Sequence, residues 1–157
     1  MEKISVLFVC LGNICRSPMA EFVMKKIVSD RNMSERFFIA SAATSREEEG
    51  NQMHYGTRRK LSEKGVPFEQ HFATVIKRSD YEKYDYIIGM DSSNTRNMLS
   101  LFGGDREGKI KLLLSFTDDE RSVADPWYTG DFDKTYDDIL MGCTALADRL
   151  TKKYGIK

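Results

Sequence analysis

A cysteine and an arginine six residues apart are the first residues in the chain whose types and spacing indicate chemistry. The segment reads Cys10-Leu11-Gly12-Asn13-Ile14-Cys15-Arg16. A cysteine thiolate is a nucleophile, and a guanidinium group can bind two oxygens of a tetrahedral anion such as phosphate. Gly12 and Asn13 tolerate the positive φ that a backbone curled around a third oxygen requires. The spacing predicts an anion-binding loop with a nucleophile. The alternative is a buried structural thiol beside a solvated arginine.

The elements around this loop favour the first interpretation. Residues 4–9 form a short, β-branched apolar run, typical of a strand covered on both faces of a parallel sheet. Ser17 and Pro18 predict a helix N-cap followed by proline at the first helical position. Ligands of open α/β sheets bind at the carboxyl ends of strands, and a helix N-terminus favours negative charge. The loop therefore lies where a phosphate would bind.

The rest of the chain continues the alternation of strands and helices. Further strands are predicted at residues 37–40, 84–90 and 109–114, with a less regular candidate at 71–75, and helices at 57–64, 92–101 and 132–150. This order predicts an α/β fold with a parallel sheet.

Length and charge limit the classes of protein. The 157 residues fit one domain, residues 1–157, and Lys plus Arg (24) balances Asp plus Glu (24). Without a general positive field, we expect no nucleic acid and no membrane partner. Three cysteines do not make a disulfide framework, and the apolar run at 4–11 is about half the length of a membrane span. We expect a cytoplasmic location.

The 10–16 loop resembles the signature loop of the low-molecular-weight protein tyrosine phosphatases. The resemblance extends over the chain in length, element order and a second motif, Asp125-Pro126-Trp127-Tyr128. It implies a doubly wound three-layer sandwich with a central four-stranded parallel sheet. It also implies hydrolysis of phosphotyrosine proteins through a phosphocysteine intermediate, with inorganic phosphate as product and no cofactor or metal.

The resemblance assigns roles to residues at matching positions. Cys10, Arg16 and Asp125 would be catalytic, Asp125 as general acid, and Trp127 and Tyr128 would wall the substrate cleft. By itself, Asp-Pro followed by aromatic residues is also a common turn. The phosphate-binding residues would be Leu11, Gly12, Asn13, Ile14, Cys15 and Arg16, and the polar network behind them would be Asn13, Ser17, Ser41 and His71. Asp91 would orient Arg16 or cap a helix.

Two positions bear on the substrate. Many family members carry an aromatic residue on the cleft rim, whereas this chain has an acidic run, residues 47–49, which includes Glu48. Such a rim favours basic phosphopeptides, or is simply a solvated loop. Members that hydrolyse phosphoarginine resemble one another in having threonine where this chain has Ile14.

Three alternatives remain open. An arsenate reductase or a protein arginine phosphatase would use the same scaffold, and a catalytically silent phosphopeptide-binding module would keep the loop without turnover. Arsenate reduction requires further cysteines to relay a disulfide. Cys15 and Cys143 are badly placed for that relay.

Overall fold

The computed structural model describes residues 2–156. Four parallel strands form one sheet in the order β2-β1-β3-β4. The strands are β1 (Ile4–Cys10), β2 (Phe37–Ala43), β3 (Tyr86–Gly89) and β4 (Ile110–Leu112). The helices are α1 (Arg16–Asp30), α2 (Tyr55–Glu63), α3 (Asp80–Lys83), α4 (Ser92–Phe102), α5 (Pro126–Thr129) and α6 (Phe132–Tyr154), and single 3₁₀ turns occupy Ser34–Arg36 and Leu113–Phe116.

The central strand β1 is buried on both faces because its side chains alternate between two cores. Val6, Phe8 and Cys10 belong to the larger core, which α1 and α6 complete. Leu7 and Val9 point to the other face, where side chains of α3 and α4 cover the sheet. Helices on both faces make the predicted doubly wound three-layer sandwich, which is confirmed.

Reversal of strand order places a crevice beside the end of β1. The chain goes from β1 to β2 on one side and later to β3 on the other side. Such a switch point leaves space outside the carboxyl ends of the strands. Residues 10–16 cross this space from β1 to α1.

The predicted start of the first helix is wrong. The helix begins at Arg16 after Cys15, so Ser17 is not its N-cap and Pro18 is the third helical residue rather than the first. The hydroxyl of Ser17 lies against the Cys10 sulfur instead of capping the helix. Pro18 is tolerated because the first turn of a helix has no intrahelical partner for its N–H groups.

Two strand predictions also differ from the structure. Residues 71–75 do not form a strand but make isolated bridges, Ala43 with Val75 and Gln52 with Phe72. The edge strand is shorter than the predicted 109–114, because the chain turns into the 3₁₀ segment Leu113–Phe116. Within residues 2–156, none of the helices combines the length and the apolar composition that a bilayer span requires.

Candidate active site

The sulfur of Cys10 lies at the end of β1 and is surrounded by donors. The backbone N–H groups of Asn13 and Ser17 point at Sγ from 3.3 and 3.4 Å. The Ser17 hydroxyl lies 3.0 Å from the same sulfur and can donate to it. Donors of this kind stabilise a thiolate more than a thiol. The site can therefore hold Cys10 as an anionic nucleophile.

The loop between Cys10 and Arg16 presents its backbone to the cleft. Asn13 adopts a left-handed conformation with φ of 57°, which curls the chain between β1 and α1. Within residues 2–156, the N–H groups at positions 11, 12, 14, 15 and 16 have no acceptor in the protein. Such a row of free donors at a helix N-terminus makes an anion-binding concavity.

Arg16 is 3% exposed and lies between two carboxylates. Its Nη1 atom is 2.9 Å from Asp91 Oδ2 and donates to the Val123 carbonyl at 3.2 Å, while Nη2 is 3.2 Å from Asp125 Oδ2. Asp91 also accepts the Asn94 N–H and caps α4. Both proposed uses of Asp91 thus occur in one side chain, which fixes the guanidinium plane at the cleft floor.

A buried polar network lies behind the loop. The Asn13 amide donates to Ser17 Oγ at 2.8 Å and to Ser41 Oγ at 3.0 Å. Its carbonyl oxygen accepts from the Thr74 N–H and lies 3.1 Å from His71 Nε2. That ring nitrogen is also 3.2 Å from the Asn13 backbone oxygen, so it carries a proton and donates. These contacts hold Asn13 in its strained conformation.

Sequence reasoning missed the end of this network. The Ser41 hydroxyl donates at 2.6 Å to Glu21, a carboxylate 7% exposed on α1 that also pairs with Lys25. The available signal was a charged residue amid the apolar positions of α1. The chain of hydrogen bonds runs from Glu21 through Ser41, Asn13 and Ser17 to the Cys10 sulfur.

Asp125 lines the same cleft as Cys10 and lies at the N-cap of the short helix α5. Its Oδ1 accepts the Trp127 N–H at 3.0 Å, while Oδ2 faces Arg16. The residue before it is anchored to α6, because Asp138 accepts the Ala124 N–H and Thr135 donates to the Ala124 carbonyl. The Asp125 carboxyl group is therefore positioned by the anchored backbone before it and by the Trp127 N–H after it, as well as by Arg16.

The loop and the Asp125 segment enclose a cleft of about 170 Å³. Trp127 and Tyr128 form one wall and are 65% and 81% exposed. Glu47 and Glu48 line the rim, and Glu48 packs over Gly12, where a Cβ would lie 3.3 Å from the glutamate Cγ. The structure thus brings to one place the predicted cleft residues and the residues of the 10–16 loop except Asn13, which is buried behind the loop.

The other thiols lie in different surroundings. Burial, with a smaller contribution from the charge of Cys10, raises the pKa of Cys15 to about 12. Cys143 is fully buried in the core, and burial raises its pKa. All three cysteines are free, and the part of the chain that is described holds no cluster of His, Cys, Asp and Glu able to bind a metal ion.

Comparisons with known proteins agree with this geometry. A model of the low molecular weight phosphotyrosine protein phosphatase family matches residues 5–155. The low molecular weight protein-tyrosine-phosphatase YfkJ of Bacillus subtilis is 37% identical over 152 residues, which cover 96% of this chain and 97% of YfkJ. The crystal structure of YfkJ superposes with a TM-score of 0.94 at 36% identity and covers 98% of both chains.

Two further solved structures are similar. SP-PTP, a low molecular weight protein tyrosine phosphatase from Streptococcus pyogenes, has a TM-score of 0.85 and 44% identity, with 96% of each chain covered. DARP, a Drosophila arginine phosphatase, has a TM-score of 0.82 and 29% identity, with 92% of this chain and 96% of DARP covered. The chain therefore belongs to the low molecular weight phosphotyrosine protein phosphatase family.

Proposed function

We propose that this chain is a protein tyrosine phosphatase that hydrolyses phosphotyrosine through a phosphocysteine intermediate. One observation carries the proposal. The Cys10 sulfur, held by three donors, lines the same cleft as Arg16 and Asp125, and the Asp125 carboxylate is paired with Arg16. Nucleophile, anion site and proton donor thus line one cleft, as phosphoryl transfer to a thiolate with protonation of the leaving group requires.

The reaction takes two steps. In the first, the Cys10 thiolate forms a bond to phosphorus while the bond from phosphorus to the tyrosine oxygen breaks, and Asp125 gives its proton to the departing oxygen. In the second, Asp125 takes a proton from water, the water oxygen attacks phosphorus, and the sulfur leaves as thiolate with release of inorganic phosphate. Arg16 and the backbone N–H groups of the 10–16 loop stabilise the transferring group in both steps.

The supporting residues act through the sulfur and the loop. Ser17 donates to the Cys10 thiolate and stabilises it as nucleophile and as leaving group. Asn13, with Ser41 and His71 behind it, keeps the loop in the shape that aims its N–H groups at one point. No metal or cofactor takes part in this scheme, so activity should survive chelators.

The cleft suits phosphotyrosine on a protein surface. Trp127 and Tyr128 offer aromatic faces on which the tyrosine ring can stack, and the Cys10 sulfur lies at the bottom of the cleft. The shorter phosphoserine would bring its backbone against the rim before its phosphate reached the sulfur. Glu47 and Glu48 on the rim favour substrates with basic residues beside the phosphotyrosine.

The same proposal covers the setting of the enzyme. Residues 1–157 form one phosphatase domain, which the family match over residues 5–155 supports. A cytoplasmic location fits a mechanism that requires Cys10 as a free thiol in a chain with three free cysteines.

The alternatives fit the site less well. A disulfide relay from Cys10 would need a second accessible thiol, but Cys15 is only 7% exposed, and Cys143 is fully buried between α6 and α1, where its sulfur contacts the Ala20 carbonyl. Phosphoarginine hydrolysis remains the second candidate because DARP shares the fold. Ile14, which lines the cleft, presents an apolar surface rather than a hydroxyl group to the leaving group.

Two variants test the proposal. Cys10→Ser should abolish turnover of phosphotyrosine peptides and p-nitrophenyl phosphate while retaining binding of vanadate or phosphate. Asp125→Ala should slow phosphotyrosine by about 10²–10⁴-fold but affect an activated aryl ester much less, because a good leaving group barely needs a proton. Steady-state kinetics on both substrates, with and without EDTA, measure this. Equal losses on both substrates would remove Asp125 from the acid role, and absence of turnover by the wild-type chain would favour the binding module.

A further inference from the structure

His54 occupies a position from which it can control the segment that carries Asp125. It precedes α2, and its Nδ1 atom accepts the Gly56 N–H at 2.9 Å, which caps that helix. The Nδ1 atom therefore carries no proton, and the cap fixes the orientation of the ring.

The fixed ring contacts two aromatic side chains of another part of the chain. It stacks on Phe132, the first residue of α6, with centroids 5.4 Å apart and planes 24° apart. Its other neighbour is Trp127 of α5, in an edge arrangement with centroids 6.2 Å apart. His54, Phe132, Trp127 and Gly56 together form the His54 cluster.

Gly56 and an ion pair hold the cluster together. A Cβ at Gly56 would overlap the Phe132 ring, so the glycine allows that ring to lie directly on the start of α2. One turn later, the ammonium group of Lys60 pairs with Asp133 of α6. The first turns of α2 and α6 are thus fixed to each other, and His54 is fixed with them.

Contacts on the two sides of Asp125 differ. On the preceding side, Ala124 is anchored by Asp138 and Thr135. On the following side, the backbone N–H of Trp127 donates to the Asp125 carboxylate, but the Trp127 side chain is 65% exposed. The edge contact with His54 restrains the Trp127 ring against the N-terminus of α2. Motion of that ring would be transmitted to the Asp125 carboxylate through the Trp127 backbone.

We propose that His54 is a positioning residue for proton transfer, which holds Trp127 against α2 and thereby keeps the Asp125 carboxyl group aimed at the leaving oxygen. His54 does not touch the reacting atoms. The inference rests on the proposed role of Asp125 as general acid. It adds that aromatic contact across the His54 cluster, rather than the helix cap alone, sets the efficiency of that acid.

Two substitutions separate the ring from the cap. His54→Asn keeps a side-chain acceptor at the N-cap but removes the ring, whereas His54→Phe keeps a ring and removes the acceptor. Tyr55→Asn, at an exposed aromatic residue beside His54, serves as the matched control. The measured quantity is kcat/KM for a series of aryl phosphates whose phenols differ in pKa.

The expected pattern depends on the leaving group. His54→Asn should lose about 3- to 10-fold on phenyl phosphate, because a small displacement of a catalytic group is costly, and little on the best leaving group. His54→Phe should recover most of the loss, and Tyr55→Asn should match the wild type. In an Asp125→Ala background, His54→Asn should cause no further loss, since its effect passes through Asp125.

A second measurement does not depend on activity. Trp127 is the single tryptophan of the chain, so fluorescence excited at wavelengths that tyrosine does not absorb reports on this side chain alone. Acrylamide quenching should increase in His54→Asn and remain near the wild-type value in His54→Phe. Unchanged quenching in His54→Asn, or an equal loss of kcat/KM on every substrate, would overturn the inference.

The two proposals can fail separately. If Asp125→Ala shows no dependence on the leaving group, the acid assignment itself is wrong and the role of His54 falls with it. If Asp125→Ala shows that dependence while His54→Asn behaves like the wild type, only the inference about His54 is wrong.

Discussion

Two cysteines five residues apart in the same loop have opposite chemistry. Cys10 has its sulfur among three donors, whereas Cys15 is buried beside it, and burial together with the negative charge of Cys10 raises the pKa of Cys15 to about 12. A thiol with such a pKa stays neutral and unreactive at neutral pH. The structure therefore places one sulfur among hydrogen-bond donors, as the proposed nucleophile requires, and packs the other as a neutral thiol.

This contrast predicts selective alkylation. At pH 7, iodoacetate should modify Cys10 and leave Cys15 free, because only about 1 in 100,000 Cys15 thiols would be ionised. Inorganic phosphate should protect Cys10 by occupying the same site. Tandem mass spectrometry of the peptide that carries both residues measures the labelling of each. Equal labelling of Cys15 would contradict the buried, neutral thiol.

Ile14 allows the choice between phosphorylated side chains to be tested. Its branched apolar side chain lines the cleft, where it would favour an aromatic ring over a guanidinium group. We expect phosphotyrosine to exceed phosphoarginine in kcat/KM, and Ile14→Thr to raise the phosphoarginine share by roughly 10-fold or more, as pocket contacts allow. Competition between matched peptides measures this ratio. A wild-type preference for phosphoarginine would reverse the proposed substrate.

At the scale of elements, α6 supports the segment before Asp125 through one buried carboxylate. Asp138 is 1% exposed, accepts two hydrogen bonds from Arg121 and binds the Ala124 N–H. Burial alone would raise its pKa, but the hydrogen bonds from Arg121, Ala124 and Lys134 outweigh burial and lower it. The folded protein therefore holds this proton less tightly than the unfolded chain does.

This linkage predicts a pH-dependent stability difference. Because the folded pKa is lowered, the contribution of Asp138 is present above about pH 4 and is lost as the pH falls through the folded value. Asp138→Asn should reduce the free energy of unfolding by about 1–3 kcal/mol at pH 7, and the difference should shrink as the pH falls from about 4 through the lowered pKa of Asp138. Urea unfolding over a series of pH values measures it, with the exposed neighbour Asp137→Asn as control. A difference that stays constant down to the lowest pH at which both proteins fold would exclude the charge as its source.

The elements show where sequence reasoning succeeds and where it stops. The strand at residues 4–9 could be predicted because both of its faces are buried, which leaves a continuous apolar run. The long helix α6 could be predicted because one face is apolar throughout. In both elements, the side chains that distant elements bury are apolar, so the sequence itself shows a pattern of apolar residues.

The wrong predictions have the opposite cause, because tertiary contacts override the local pattern. Ser17 carries a strong N-cap signal, but its hydroxyl is used by Cys10, so a tertiary contact overrides the local preference. Residues 71–75 have strand-like composition, but the chain uses them to approach Asn13, through His71 and Thr74, instead of joining the sheet. The contacts of Glu21 and His54 join elements far apart in sequence. The charge of Glu21 amid apolar positions of α1 marks that residue but not its partner Ser41, and nothing local marks the contacts of His54.

At the scale of the whole molecule, charge is balanced overall but not locally. The formal net charge is zero, yet the cleft rim carries Glu47 and Glu48 at the carboxyl ends of the strands. Glu47 is exposed, and within residues 2–156 no Lys, Arg or His pairs with it. The Glu47 charge is therefore available to a substrate in the cleft. An equal charge far from the cleft would affect substrate binding only through the net charge of the protein.

Charge reversal at each of two distant positions separates a local effect of the cleft rim from an effect of the net charge. Glu47→Lys places a positive charge on the rim, while Glu35→Lys makes the same change at an exposed residue before β2, at the amino ends of the strands. We expect the wild type to prefer a phosphotyrosine peptide with lysine flanks over one with glutamate flanks. Glu47→Lys should lower that ratio of kcat/KM by about 2- to 5-fold at low salt, because rim charges steer association.

Salt provides the second test of this rim. In 1 M salt the Debye length falls to about 3 Å, so the effect of Glu47→Lys should largely disappear while turnover of small aryl phosphates stays similar in both variants. Glu35→Lys should leave the peptide ratio near the wild-type value at every salt concentration. If Glu35→Lys lowers the ratio as much as Glu47→Lys does, net charge governs the preference and the acidic rim does not select the substrate.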